Sequence, residues 1–271
     1  MRLGAFVAAF ALLALAETVA PRRRAADRLG RWAGNLGLVA VGTIVVRLVP
    51  PISAVGAAVA AGERGWGLLN AIGAVPAWLA VIVSVVALDL AIYLQHVLFH
   101  AVPALWRLHR VHHTDLDVDV TTGVRFHPVE MLLSVGFKVA AVAALGPPVP
   151  GVILFEIVLN AGSLWSHASL RLPGGVDRLL RTVLVTPDMH RVHHSVDPAE
   201  TNTNFGFTLS WWDRVLGTYR SRPTALDAME FGVAGFGARD ARGLSRLLVQ
   251  PLLAPAAPAA VRDDAPVEVR R

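Results

Sequence analysis

Residues 3–20 read LGAFVAAFALLALAETVA, eighteen positions with a single acid, Glu17, before Pro21-Arg22-Arg23-Arg24 stops the run. Eighteen apolar residues are just enough to cross ~30 Å of hydrocarbon as a helix. Such runs recur. The stretch 33–60 is apolar but interrupted by Arg47 and Pro50-Pro51, which leaves open one kinked span or two short pieces. Residues 75–98 form the cleanest span. After a polar interval the pattern returns at 131–145 and 149–166, with Gly146-Pro147-Pro148 at the break. Those two arms, roughly 22–27 Å each at 1.5 Å per residue, predict a helical hairpin, crossing or re-entrant.

Composition agrees with a membrane class and removes others. Only 17% of residues are charged against 54% hydrophobic, and the mean hydropathy is +0.53. Soluble domains carry about 25% charge, and disordered chains combine low hydrophobicity with high charge, so neither class fits. The absence of cysteine excludes disulfide scaffolds, thiolate zinc sites, iron–sulfur clusters and cysteine nucleophiles. The net charge of +5 reads as arginine on the cytoplasmic side, with no nucleic acid as partner.

Orientation follows from the arginines. Residues 21–32 hold five against one acid, Asp27, whereas 61–74 hold only Glu63 and Arg64. The positive-inside rule then places 21–32 in the cytoplasm and the N-terminus outside. Ala14-Leu15-Ala16 resembles a leader cleavage site, but cleavage there would strand the arginine cluster outside. The expected fold is all-α integral membrane, with about four transmembrane or hairpin segments and a cytoplasmic helical cap. The division is 1–74 for the N-terminal transmembrane helices, 75–220 for a catalytic domain and 221–271 for a cytoplasmic tail, partly disordered.

All ten histidines fall between positions 96 and 194. His96 and His100 are an i, i+4 pair; His109, His112, His113 and His190, His193, His194 are two i, i+3, i+4 sets. On a helix such offsets share a face about 5–6 Å apart, from which imidazoles can converge on a metal. Eight clustered histidines exceed the ligands one zinc takes, so two adjacent metals are expected. Imidazole suits iron, zinc, copper and nickel alike, and a non-catalytic membrane zinc-binding protein stays open. His167, at the end of the hairpin, joins the ligand set; His127 is either a ligand or a capping and supporting residue.

The order of motifs resembles the fatty acid hydroxylase superfamily, also called the sterol desaturase family. The likeness rests on Asp89-x3-Tyr93-x2-His96 and Trp106-Arg107-Leu108-His109-Arg110-Val111-His112-His113. It continues through Arg125-Phe126-His127-Pro128-x-Glu130, Thr186-Pro187-Asp188-Met189-His190-Arg191-Val192-His193-His194-Ser195, Asn204-Phe205-Gly206 and Trp212-Asp213-Arg214-Val215-Leu216-Gly217-Thr218-Tyr219. It covers roughly 75–220. Two departures stand out: His167-x-Ser169 where the family often has His-x-Asn, and Asn204-Phe205-Gly206 where it often has Asn-Tyr-Gly.

The resemblance implies a membrane-bound di-iron oxygenase that hydroxylates or desaturates a lipid, with O2 as co-substrate and two iron ions (zinc as isolated). It also implies a separate electron donor, ferredoxin or cytochrome b5-like. Asp89, two turns before His96, either supports a ligand or makes an interhelical contact; Asp188, beside His190, is a second supporting candidate. Glu156 reads as an interhelical contact, and the Asp115, Asp117, Asp119 run as a solvated loop. Ile82, Val85, Leu88, Val152, Phe155 and Leu159 are expected to wall the substrate path.

Overall fold

The computed structural model describes residues 2–256 except 24, 26, 50–52 and 225–228. Arg24, Pro50, Pro51 and the tail beyond 256 therefore lie outside the described residues. The helices in chain order are α1 Arg2–Val19, α2 Arg28–Leu48, α3 Ala54–Arg64, α4 Leu68–Ile72, α5 Ala77–Ala101, α6 Pro103–His113, α7 Pro128–Leu145, α8 Val149–His167, α9 Gly174–Leu180, α10 Pro187–His193, α11 Pro198–Thr201, α12 Trp211–Val215 and α13 Leu244–Val249. Among the described residues there are isolated bridges but no strand.

Five of these, α1, α2, α5, α7 and α8, are long and apolar enough to cross a membrane. They are the three expected spans and the two hairpin arms. The 33–60 stretch resolves into two pieces: α2 starts five residues earlier because Asp27 accepts from the Gly30 amide, and α3 starts where Ser53 accepts from the Gly56 amide. Helix α1 packs along α8, α2 along α7, and α5 against both hairpin arms. Helix α3 closes the far end, where Ala54 and Ala58 meet Leu88, Ile92, Val142, Val152 and Phe155 in one core cluster. Five of the six residues expected to wall a substrate path are thus placed elsewhere: Leu88, Val152 and Phe155 belong to that core, Val85 packs on it, and Ile82 faces outward. The apolar face of α5 looked like a ligand wall because the hairpin arms that cover it, α7 and α8, are about forty or more residues away in sequence.

At the other end the chain segments interlock. The Glu17 carboxylate accepts from the Val120 and Ser169 amides at 2.7 and 2.6 Å, fixing α1 to the histidine-bearing cap. Arg31 of α2 donates to Asp115 at 2.6 and 2.9 Å and to Asp119 at 2.9 Å, all three being buried. The acidic run expected as a solvated loop is therefore corrected: Asp115 and Asp119 are interior counter-ions, and Asp117 alone is half-buried. Burial alone would raise the Asp115 carboxyl, but the guanidinium groups of Arg125 and Arg31 outweigh it and hold it below the usual carboxylate range. Arg125, fully buried, donates to the Val111 carbonyl and to Asn35. Part of the 221–271 segment is ordered too: Leu247 of α13 packs on Leu38 and Val111, and Gln250 bonds Thr114.

Candidate metal centre

Nine of the ten histidines meet where α5, α6, α8 and α10 end. Their ligand atoms form two groups, each with all atoms within 4.8 Å of one another: His96, His100, His109, His113 and His193 in one, His112, His167, His190 and His194 in the other. These are the nine residues that the sequence nominates as ligands. Each His-x-x-His-His motif is shared between the groups rather than given to one. In α6 the i, i+4 pair His109 and His113 enters the first group and His112 the second; in α10 and its cap, His190 and His194 enter the second and His193 the first.

Local sequence explains the placement. Pro103 and Pro187 occupy the first turns of α6 and α10, where a missing N–H costs nothing, and Thr186 caps α10 through the Met189 amide. Gly123 lets the 122–124 turn lie directly on α8, since a Cβ there would stand 2.7 Å from the Ser163 carbonyl oxygen. That approach seats His167 against His112, Nε2 to Nε2 at 3.1 Å.

The nitrogens fit metal ions. His96 Nε2 stands 3.0 Å from His109 Nε2 and 3.1 Å from His193 Nε2; His190 Nε2 stands 3.1 Å from His167 Nε2. Two nitrogens bound at about 2.1 Å to one ion, at right angles, are about 3.0 Å apart. Both ring nitrogens of His113 and of His194 are buried with no hydrogen-bond partner among the described residues, as is Nε2 of His100. A buried polar nitrogen without a partner is costly, and a metal bond supplies one. Burial pushes His109 down to about 3, and burial followed by repulsion between the rings holds His112, His113, His190, His193 and His194 well below their ordinary values. Neutral imidazole, the form that ligates, is thereby favoured.

The rings are oriented from behind. His109 Nδ1 donates to Glu130 Oε1 at 2.6 Å, His96 Nδ1 to the Phe205 carbonyl at 2.7 Å, His193 Nδ1 to the Thr203 carbonyl at 2.7 Å, and His167 Nδ1 to the Ser163 carbonyl at 2.6 Å. Such partners fix the tautomer and leave Nε2 free for a metal. Asn204, between two of those carbonyls, has φ +52°, and its amide bonds Met189 and Arg220. This left-handed residue turns the chain so that neighbouring carbonyls address histidines on two helices.

The three supporting candidates read from sequence sit elsewhere. Asp89 accepts from Trp212 Nε1 and the Leu209 amide, tying α5 to the closing segment, and Asp188 pairs with Arg22 at 3.1 Å. His127 caps α7 by accepting from the Val129 amide and reaches the Leu248 carbonyl, outside both groups. Glu130 was visible in a quoted motif but carried no signal of its role; the backbone carbonyls carry no sequence signal at all.

A cavity of about 500 Å³ opens from His96 and His109 into the helices. Phe99, Phe126 and Phe207 line its start, Leu3 and Phe6 of α1 and Val39, Thr43 and Val46 of α2 its flanks, and Leu159 alone of the expected wall residues reaches it.

Residues 81–218 match the fatty acid hydroxylase family. The chain is 31% identical over 171 residues to an ornithine lipid hydroxylase of Rhizobium tropici, covering 63% of this chain and 50% of that protein. It is 31% identical over 134 residues to an alkylglycerol monooxygenase of Xenopus tropicalis, covering 48% and 28%. A cholesterol 25-hydroxylase of Rattus norvegicus is 29% identical over 145 residues, covering 53% and 47%. The chain thus spans about half or less of the length of these relatives. No solved structure matches.

Proposed function

The chain belongs to the fatty acid hydroxylase family, and from that premise and the nine-histidine centre we propose that it is an O2-dependent di-iron hydroxylase or desaturase of a membrane lipid. The observation that carries the reading is the five-plus-four division of imidazoles, eight of them buried, beside a largely apolar cavity. Five donors in one group exceed the four of a tetrahedral structural zinc, which favours iron over a non-catalytic zinc site. Iron would supply the oxidant that unactivated C–H bonds require and no side chain provides.

The residues around it bind, orient and exclude. Glu130 and the carbonyls of Ser163, Thr203 and Phe205 hold four rings in place, and the phenylalanines at the cavity mouth keep water from the centre. The oxygenase reading calls for an electron donor, for which a ferredoxin or cytochrome b5-like protein is suited. Arg22 and Arg23 lie on the histidine side of the bundle, the Arg22 amide bonding the Ser169 carbonyl, and with the positive-inside rule this supports a centre at the cytoplasmic face of the membrane. Purified protein with about two irons per chain, and lipid-dependent O2 uptake with a reductant, is the expected result. Tightly held zinc with no turnover after iron loading would refute the oxygenase.

A further inference from the structure

The cavity carries charge where a purely apolar path needs none. Along α7 the residues Glu130, Ser134 and Lys138, four apart, all face it, so Lys138 stands about 12 Å along the helix from the glutamate that holds His109. Arg47 faces it from α2. The two helices run in the same direction and touch at Gly42 and Met131, where a Cβ on Gly42 would fall on the methionine sulfur. Arg47 is five residues beyond that contact and Lys138 seven, so both cations lie at one depth. Glu156 lies there too, eight residues after the hairpin turn as Lys138 is eight before it, and it is paired with Arg2. Three cations thus share this level with one carboxylate, Glu156, which pairs with Arg2 and also lies within electrostatic reach of Lys138.

Within apolar helices a cation is expensive and marks a ligand path, as for Lys138 midway along α7, whereas Arg47 sits exposed in the last turn of α2. Among the described residues neither Lys138 nor Arg47 makes a hydrogen bond. Helices α1 and α2 meet through Phe10, midway along α1, against Trp32 at 5.8 Å and through Arg28 on Thr18, while α1 follows α8 and α2 follows α7. Leu3 and Phe6 of α1 and Val39, Thr43 and Val46 of α2 line the same cavity as the cations and the histidines.

We propose that Lys138, with Arg47 beside it, binds the anionic group of the substrate, a carboxylate or a phosphate, while the apolar chain runs to His96 and His109. This rests on the lipid-oxygenase reading and adds a substrate class to it. Apolar walls discriminate weakly, whereas a cation left unpaired rejects the analogue lacking the charge. With the charged end held at Lys138, the oxidised carbon is counted from that end.

Binding tests this without turnover. The full chain in phosphatidylcholine nanodiscs is titrated with the fluorescent cis-parinaric acid and its methyl ester. The acid should bind at least about tenfold more tightly than the ester, the size of one charge-assisted hydrogen bond. Lys138→Gln should erase that preference with ester binding unchanged, which also reports an intact cavity, and Lys138→Arg should keep it. Stronger displacement by oleate or by dioleoyl phosphatidic acid names carboxylate or phosphate as the group. If the protein binds the acid no better than the ester, or if Lys138→Gln keeps the preference, the proposal is overturned. The binding assay needs neither reductant nor turnover, so failure to oxidise any lipid in the separate O2-uptake assay would count against the oxygenase reading and leave this result standing.

Discussion

Removing the Glu130 side chain isolates what a supporting carboxylate contributes to the centre. Glu130 and His109 are 3% and 2% exposed, and their 2.6 Å contact is, among the described residues, the one carboxylate hydrogen bond to the two histidine groups. In Glu130→Ala the His109 Nδ1–H loses its acceptor where no water reaches it. A hydrogen bond to a charged group contributes about 1.5–3 kcal/mol, which at 1.4 kcal/mol per decade is roughly 10–150-fold in metal affinity. Losses of about 10–100-fold on deleting such partners agree with that range. Glu130→Gln keeps an acceptor oxygen and loses the charge, so it should fall near the tenfold end. The assay is metal content after dialysis against graded chelator, with lipid-dependent O2 uptake on the same samples and a thermal melt to confirm folding. An alanine variant that holds metal as tightly as the parent and turns over equally fast would refute the assignment.

Asp115→Ala should destabilise the protein by about 3–5 kcal/mol, because it strips counter-charge from the buried Arg31 and Arg125; a thermal melt reads this, and Asp117→Ala should shift it little. Asn204→Gly should retain more activity than Asn204→Ala, since both lose the amide bonds but only alanine meets the left-handed backbone at a cost of about 1–2 kcal/mol. With no native cysteine, Glu63→Cys should react with an impermeant thiol reagent in intact cells and Arg178→Cys should not; the reverse pattern overturns the orientation. Replacing His193 and His194 together should abolish turnover and empty both groups, and a variant that kept full metal would end the two-metal reading.

What could be read from sequence was what is local. The spans follow from continuous apolar runs, and the histidine sets from offsets of three and four residues. The ion pairs could not be read in this way. Arg31 and Asp115 are 84 positions apart, and an acidic run beside a motif looks like any solvated loop until the guanidinium closing on it is seen. Glu17 looked like a blemish in a membrane helix and instead caps two backbone amides of the cap. The rings are steered largely by backbone carbonyls, which every residue possesses. Asp89 and Asp188 were attractive because they are near histidines in sequence, yet on their helices they point to Trp212 and Arg22.

The shared motifs have a consequence for how the centre is loaded. Helices α6 and α10 each lend ligands to both groups, so an ion entering either group immobilises the backbone that presents the other's donors. The first arrival bears the ordering entropy of both helices and the second meets a scaffold already set, which is positive cooperativity without any contact between the ions. Native mass spectra of a protein partly stripped of metal should therefore show mainly empty and doubly loaded chains, with the singly loaded species scarce.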